Sequence, residues 1–139
     1  MMLDLDDFKG INDTYGHLVG DDILKQTGVV LRSVIRRNDI VGRIGGDEFA
    51  LLCANVASDE AAGAIAERIV RDINRTAGKK ISKTVKISIG IAKVQPGQSM
   101  REVFQQADEA LYQVKRSSKN GYAIYQEPVG KAEKEEDDQ

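Results

Sequence analysis

Apolar positions along this chain recur with a period that switches between two and roughly 3.6, the spacings that separate strands from helices. Met1, Met2 and Leu3 open a short strand over residues 1–5 that ends in acids. Phe8 and Ile11 share one face of a short helix over residues 7–13. Tyr15, Gly16 and His17 form a loop leading to Gly20, Asp21 and Asp22, whose acids can cap the following helix. That helix is predicted over residues 21–37, with Ile23, Leu24, Thr27, Val30, Leu31 and Val34 at helical spacing. Gly28 interrupts it at a cost of about 1 kcal/mol relative to alanine and so marks close packing against the sheet.

Residues 39–55 hold two short apolar runs, one from Ile40 to Ile44 and one from Ala50 to Ala54, around the pair Gly45-Gly46. Such a pattern predicts two strands joined by a tight turn. Ser58 or Asp59 starts an alanine-rich helix reaching residue 74, with Ala61, Ala62, Ile65, Ile69 and Ile73 as its buried stripe. Residues 84–94 alternate as a strand, with Val85, Ile87, Ile89 and Ile91 facing one way. After the Pro96-Gly97 turn, Ser99 and Glu102 form a capping box for a helix to residue 115. Its stripe is Val103, Ala107, Ala110, Leu111 and Val114, and residues 121–125 form an edge strand. The element order βααββαβαβ predicts an α+β fold, a sheet with helices packed on it.

A chain of 139 residues is long enough for one domain with a proper core. The formal net charge of −2 provides no basic field for a nucleic acid polymer. No apolar run reaches bilayer length and no charged-then-apolar leader is present, so membrane insertion by this chain is not expected. Cys53, the only cysteine, suits a reducing cytoplasm and reads as a small core residue. His17 is the only histidine, which argues against a histidine-rich metal site or a histidine-based triad.

The turn between the two central strands carries the first candidate chemistry. A hairpin needs only turn formers, yet Asp47 and Glu48 follow Gly45 and Gly46 directly. A solvated acidic hairpin is one reading. The other is a site for a divalent cation and a polyphosphate, which would use both acids and the close backbone approach that glycine allows. A second acidic cluster, Asp4-Leu5-Asp6-Asp7-Phe8-Lys9, ends the first strand. Two strand ends bearing carboxylates can meet at one sheet edge and hold paired metal ions, as phosphoryl-transfer sites do.

Arg43-Ile44-Gly45-Gly46-Asp47-Glu48-Phe49 resembles the signature of the GGDEF family, the bacterial diguanylate cyclases. The Asp4 to Lys9 cluster resembles another family motif. So does Asn12-Asp13-Thr14-Tyr15-Gly16-His17 followed by Gly20-Asp21, as do Ser88-Ile89-Gly90-Ile91-Ala92 and Ala107-Asp108-Glu109-Ala110-Leu111-Tyr112 with Lys115. These blocks lie in family order and span nearly the whole chain. The resemblance implies a palm-like nucleotidyl-cyclase fold over residues 1–127, with a central, mainly antiparallel five-stranded sheet and helices packed around it. The helix that the family usually places before the first strand is missing, and residues 128–139 are expected to form a charged, disordered tail.

The implied activity is the condensation of two GTP into cyclic di-GMP and pyrophosphate by a homodimer with two-fold symmetry. The cofactor would be Mg²⁺ (or Mn²⁺), and the setting the cytoplasm, possibly as part of a larger sensor protein. Asp4, the Leu5 carbonyl, Asp47 and Glu48 match the metal ligands, and Asp47 or Glu48, with Asp47 preferred, accepts the 3′-hydroxyl proton. Gly45 and Gly46 admit the nucleotide, while Phe8, Lys9, Lys115 and Lys119 match phosphate contacts. Lys115 and Lys119 are expected on one face of the last helix; the alternative is an exposed basic helix end complementing the helix dipole. The family's Lys-x-x-Gly-Arg-Asn here reads Lys115-Arg116-Ser117-Ser118-Lys119-Asn120, and lysine in place of arginine loses the bidentate fork.

Asn12 and Asp21 match guanine readers. A carboxylate can take the N1 and N2 donors of guanine together, a pair that adenine lacks, and Asp21 can cap a helix as well. Arg36 and Asp39 have RxxD spacing, with five residues between Asp39 and Gly45, and match the family's inhibitory cyclic di-GMP site. The competing reading is a helix-end ion pair of little energetic worth. Arg68 or Arg71 is the candidate second arginine. Two rival functions stand beside the cyclase: a catalytically silent domain that binds cyclic di-GMP or GTP as a receptor, and a general nucleotidyl cyclase or polymerase palm. The guanine readers and the RxxD spacing disfavour the second.

Overall fold

The computed structural model describes residues 1–129. Its elements are β1 (Met2–Leu5), α1 (Phe8–Tyr15), α2 (His17–Val34), β2 (Ile40–Gly45), β3 (Glu48–Leu52), α3 (Asp59–Thr76), β4 (Ile87–Ile91), α4 (Met100–Arg116) and β5 (Tyr122–Ile124). The strands form one sheet in the order β2-β3-β1-β4-β5. Every neighbouring pair is antiparallel except β4 and β5. The expected α+β architecture and its mainly antiparallel five-stranded sheet are therefore present. The tail expected over residues 128–139 lies, from residue 130 onward, outside the described residues. Among the described residues no helix is long and apolar enough to cross a membrane.

Strand alternation divides the sheet into two unlike faces. Leu3 and Leu5 of β1, Phe49 and Leu51 of β3, and Ile87, Ile89 and Ile91 of β4 pack against Ile11, Ile23 and Leu31 of α1 and α2 and Ile69 and Ile73 of α3. Each fully buried aliphatic side chain contributes roughly 1.5–3 kcal/mol, so this face supplies most of the core. The opposite face is built from small residues: Met2, Ala50 and Ala92 meet Ala107 and Leu111 of α4. Helix α4 comes closest over Gly90, where a Cβ would lie 2.1 Å from the Ala107 carbonyl oxygen and 2.4 Å from the Leu111 amide nitrogen. All five residues of β4 are buried because the strand is covered on both faces.

Element bounds differ from expectation where tertiary geometry intervenes. Helix α2 begins at His17, because Gly16 at φ 90° breaks the chain between α1 and α2; Asp21 therefore lies inside the helix and does not cap it. The helix stops at Val34, since Ile35 turns extended and Asp39 Oδ2 accepts from the Arg36 amide at 2.8 Å. Gly28 does not mark a close approach to the sheet: a Cβ there would meet only the Arg32 guanidinium, 3.3 Å away. Strand β4 is shorter than residues 84–94, and the buried stripe of α3 runs through Ala62, Gly63, Ala66, Ile69 and Ile73 instead of through Ala61 and Ile65. Cys53 lies just past β3 and is half-buried. Two helix caps form as expected, with Ser58 Oγ accepting from the Ala61 amide at 3.1 Å and Ser99 Oγ from the Glu102 amide at 3.2 Å.

Gly90→Ala would push a methyl group into the backbone of α4. The expected loss is about 3 kcal/mol, read as a lower urea midpoint. A midpoint equal to wild type would show that α4 does not depend on this contact.

Candidate functional site

The β2–β3 hairpin turns through Gly46 and Asp47, with Gly45 paired to Glu48 and a register shift between Arg43 and Gly45. Arg43 Nε donates to the Gly46 carbonyl at 2.9 Å and braces the turn. A Cβ on Gly45 or Gly46 would meet nothing within 4 Å, so the surface above both glycines is open. Antiparallel pairing of β1 with β3 sets Asp4 opposite Glu48, and the Leu5 amide donates to the Asp47 carbonyl at 3.3 Å. The two acidic clusters thus meet at one sheet edge.

Alternation that sends Leu3 and Leu5 into the main core points Asp4 towards the α4 face, where the C-terminal turn of α4 brings Lys115. The Lys115 ammonium lies 2.7 Å from Asp6 Oδ1, 3.4 Å from Asp4 Oδ2 and 3.4 Å from the carbonyl oxygens of both Asp4 and Leu5. Asp6 is buried and also accepts from Ser88 Oγ at 2.7 Å and from the Asn120 amide at 2.9 Å. Asp4 Oδ1 is buried and receives no donor. Burial first, and then the Asp47 carboxyl beside it, push the Asp4 acid up to about 7 against the pull of Lys115.

This oxygen set suits a hard cation. Two carboxylates and main-chain carbonyls with an orphaned buried oxygen are the donors Mg²⁺ takes, usually alongside water and substrate phosphates. No group of three ligating side chains forms a closed cage among the described residues. Any metal held here would therefore share its coordination with main-chain oxygens and ligand.

Asn12, on α1, has a buried side-chain oxygen without a partner. Gly20 is the residue that leaves room for it: a Cβ at Gly20 would fall 1.8 Å from Asn12 Oδ1. Asp21 follows at once, exposed and in no ion pair among the described residues. Phe8 and Lys9 form the first turn of α1, where amides precede the first intrahelical bond, from the Ile11 amide to the Asp7 carbonyl at 3.1 Å. His17 is exposed at the start of α2. Lys119 departs from expectation. Helix α4 ends at Arg116, and Lys119 sits beyond it at φ 50°, its amide bonded to the Val114 carbonyl at 3.0 Å, so it shares no helix face with Lys115.

Arg36, Asp39 and Arg68 line one cavity of about 300 Å³ on the far side of the hairpin. The amides of Arg36 and Ala54, at 2.8 and 2.9 Å, hold the Asp39 carboxyl below the usual carboxylate range. Arg71 lies in a different cavity, beside Arg75 and Asn120. Sequence reasoning left Asp6 and Gly20 without roles. The signal for Asp6 was the two-residue spacing from Asp4, which points both acids to one side.

An α+β sheet with paired carboxylates at an open glycine turn defines a nucleotide-cyclase type of domain. A family model described as "Diguanylate cyclase, GGDEF domain" matches residues 1–121, and the chain belongs to that family. Diguanylate cyclase DgcS of Shewanella oneidensis is 42% identical over 89% of this chain and 41% of its own length. Diguanylate cyclase A of Treponema denticola is 36% identical over 95% of this chain and 36% of its own length. This chain therefore spans well under half of either relative. The active GGEEF domain of a Vibrio cholerae diguanylate cyclase superposes with a TM-score of 0.83 at 30% identity, covering 91% of this chain and 81% of that one. The GGDEF domain of DgcB from Caulobacter crescentus, solved in complex with c-di-GMP, gives 0.81 at 30% identity, covering 88% and 74%.

Asp4 holds its proton more tightly when folded than when unfolded. Between its ordinary value of 3.8 and about 7, the folded chain binds more protons, so metal-free stability falls as pH rises through that window. Urea midpoints measured without metal should decline from pH 4 to 7 more steeply in wild type than in Asp4→Asn. Parallel profiles would show that Asp4 titrates normally.

Proposed function

We propose that this chain is the catalytic domain of a diguanylate cyclase, its unit spanning residues 1–127, which condenses two GTP into cyclic di-GMP and releases pyrophosphate. The observation that carries this reading is the sheet edge where Asp4 stands opposite Glu48 beside the Asp47 turn, beneath two open glycines and against the Lys115 cation. In each of two steps a ribose 3′-hydroxyl attacks an α-phosphate and pyrophosphate leaves. Asp4, the Leu5 carbonyl, Asp47 and Glu48 would hold Mg²⁺ (or Mn²⁺), whose charge offsets that developing on the phosphate oxygens. Asp47, or failing it Glu48, accepts the hydroxyl proton.

Phosphate recognition falls to the free amides of Phe8 and Lys9 at the start of α1, with the Lys9, Lys115 and Lys119 ammonium groups as point charges. Gly45 and Gly46 leave space for the nucleotide against the turn. Asn12 Oδ1, a buried acceptor in want of a donor, and the unpaired Asp21 carboxylate complement the amine and imide donors of guanine. Each chain carries one such set, whereas the product joins two identical halves. Two chains facing each other about a two-fold axis would supply both nucleotides.

The cavity holding Arg36, Asp39 and Arg68 is the proposed inhibitory site for cyclic di-GMP. Its arginines can take phosphate or the Hoogsteen edge of guanine, and the low-lying Asp39 acid stays charged to accept the N1 and N2 donors. That cavity could serve a receptor as well as an enzyme.

Incubation with GTP and Mg²⁺, followed by chromatography, should yield cyclic di-GMP at a rate that declines as product accumulates. No product at any protein concentration would overturn the cyclase and leave the receptor. Glu48→Gln should lower turnover at least about a hundredfold while product binding persists; retained turnover removes Glu48 from the site. Arg36→Ala should abolish inhibition and keep the initial rate, and inhibition at wild-type concentrations would eliminate that cavity as the product site.

A further inference from the structure

The Lys115 ammonium rests on the oxygens that the cyclase reading assigns to the metal. It is 3.4 Å from Asp4 Oδ2 and 3.4 Å from the Leu5 carbonyl oxygen, two of the proposed ligands. The Asp4 carbonyl, also at 3.4 Å, and Asp6 Oδ1 at 2.7 Å complete its surroundings. Lys115 is partly buried, its side chain 24% exposed, so this is an internal contact and not a passing surface pair. A divalent ion and an ammonium cannot share one Asp4 carboxylate and one Leu5 carbonyl at bonding distance, because their repulsion in a poorly solvated site outweighs what either gains.

We propose that Lys115 is a built-in counter-ion of the nucleotide-free site, which a divalent metal must displace before it can bind Asp4 and Leu5. The inference rests on the metal reading given above and adds an order to it. Asp6 is the fixed anchor: Ser88 Oγ and the Asn120 amide hold it independently of Lys115. The lysine stem, with four rotatable bonds, lets the ammonium leave Asp4 while remaining near this anchor. Displacement without compensation leaves the ammonium poorly paired, so metal alone binds weakly. A triphosphate arriving with the metal gives the displaced ammonium new anionic oxygens. Metal and triphosphate therefore bind cooperatively, and by linkage each tightens the other by the same factor.

The test titrates Mn²⁺ into nucleotide-free protein and follows the free-ion spectrum by electron paramagnetic resonance. Lys115→Met, which removes the charge and keeps the length, should bind Mn²⁺ at least tenfold more tightly than wild type. Lys115→Arg should stay weak. Adding a non-hydrolysable GTP analogue should tighten Mn²⁺ binding in wild type by a larger factor than in Lys115→Met. Circular dichroism checks folding, and Lys115→Gln gives the same reading if the methionine variant does not fold. Equal or weaker Mn²⁺ affinity in the uncharged variants overturns the proposal. Asp4→Asn separates the two readings. If it abolishes Mn²⁺ binding while Lys115→Met changes nothing, only the counter-ion role fails; if it leaves binding unaltered, the metal site itself fails.

Discussion

A carboxylate buried at the end of a central strand has to be matched by a cation and by donors, because an isolated charge in a dry site costs several kcal/mol. Asp6 meets that requirement through Lys115, Ser88 and the Asn120 amide, and Asp4 beside it leans on the same lysine. Those partners come from β4, from the end of α4 and from the loop before β5. The demand for charge balance at two acids thus dictates how three later segments close on the first strand. Gly90 makes the closure possible, because α4 can descend far enough to deliver Lys115 only where β4 carries no side chain.

The sheet divides its labour by face. The side packed by α1, α2 and α3 is a continuous aliphatic core and supplies cohesion. The other side is covered by α4 through small residues, and its polar end is left open beside the glycine turn. One alternation along β1 accounts for both: Leu3 and Leu5 anchor the strand, and Asp4 is carried to the edge where ligand can approach. Rigid pairing to strands on both sides holds Asp4 in place, as a site of fixed geometry requires.

The hairpin joins two candidate sites mechanically. Its turn presents Asp47 and Glu48, and at the opposite end Asp39 ties the start of β2 to the residue chain after β3 by accepting from the Ala54 amide. An anion bound beside Asp39 therefore acts on the two strands that carry the turn.

The order of elements, their types and the motif acids were legible in the amino-acid sequence, because periodicity and turn chemistry are local properties. Alternating Ile87, Ile89 and Ile91, the capping serines Ser58 and Ser99, and the paired glycines before Asp47 needed no distant partner to be read. The role of Asp6 was not legible, since its partners Ser88, Lys115 and Asn120 lie 82, 109 and 114 residues away. The start of α2 was misplaced for a related reason: Gly16 takes a positive φ to fold α1 back onto α2, an angle no hydrophobic pattern records. Lys119 looked like a helical neighbour of Lys115 by spacing, yet the chain leaves the helix at Arg116 to bring the Asn120 amide onto Asp6. Local sequence determined which segments and acids are present; which cation balances them was decided only when the fold brought β1, β4 and α4 together.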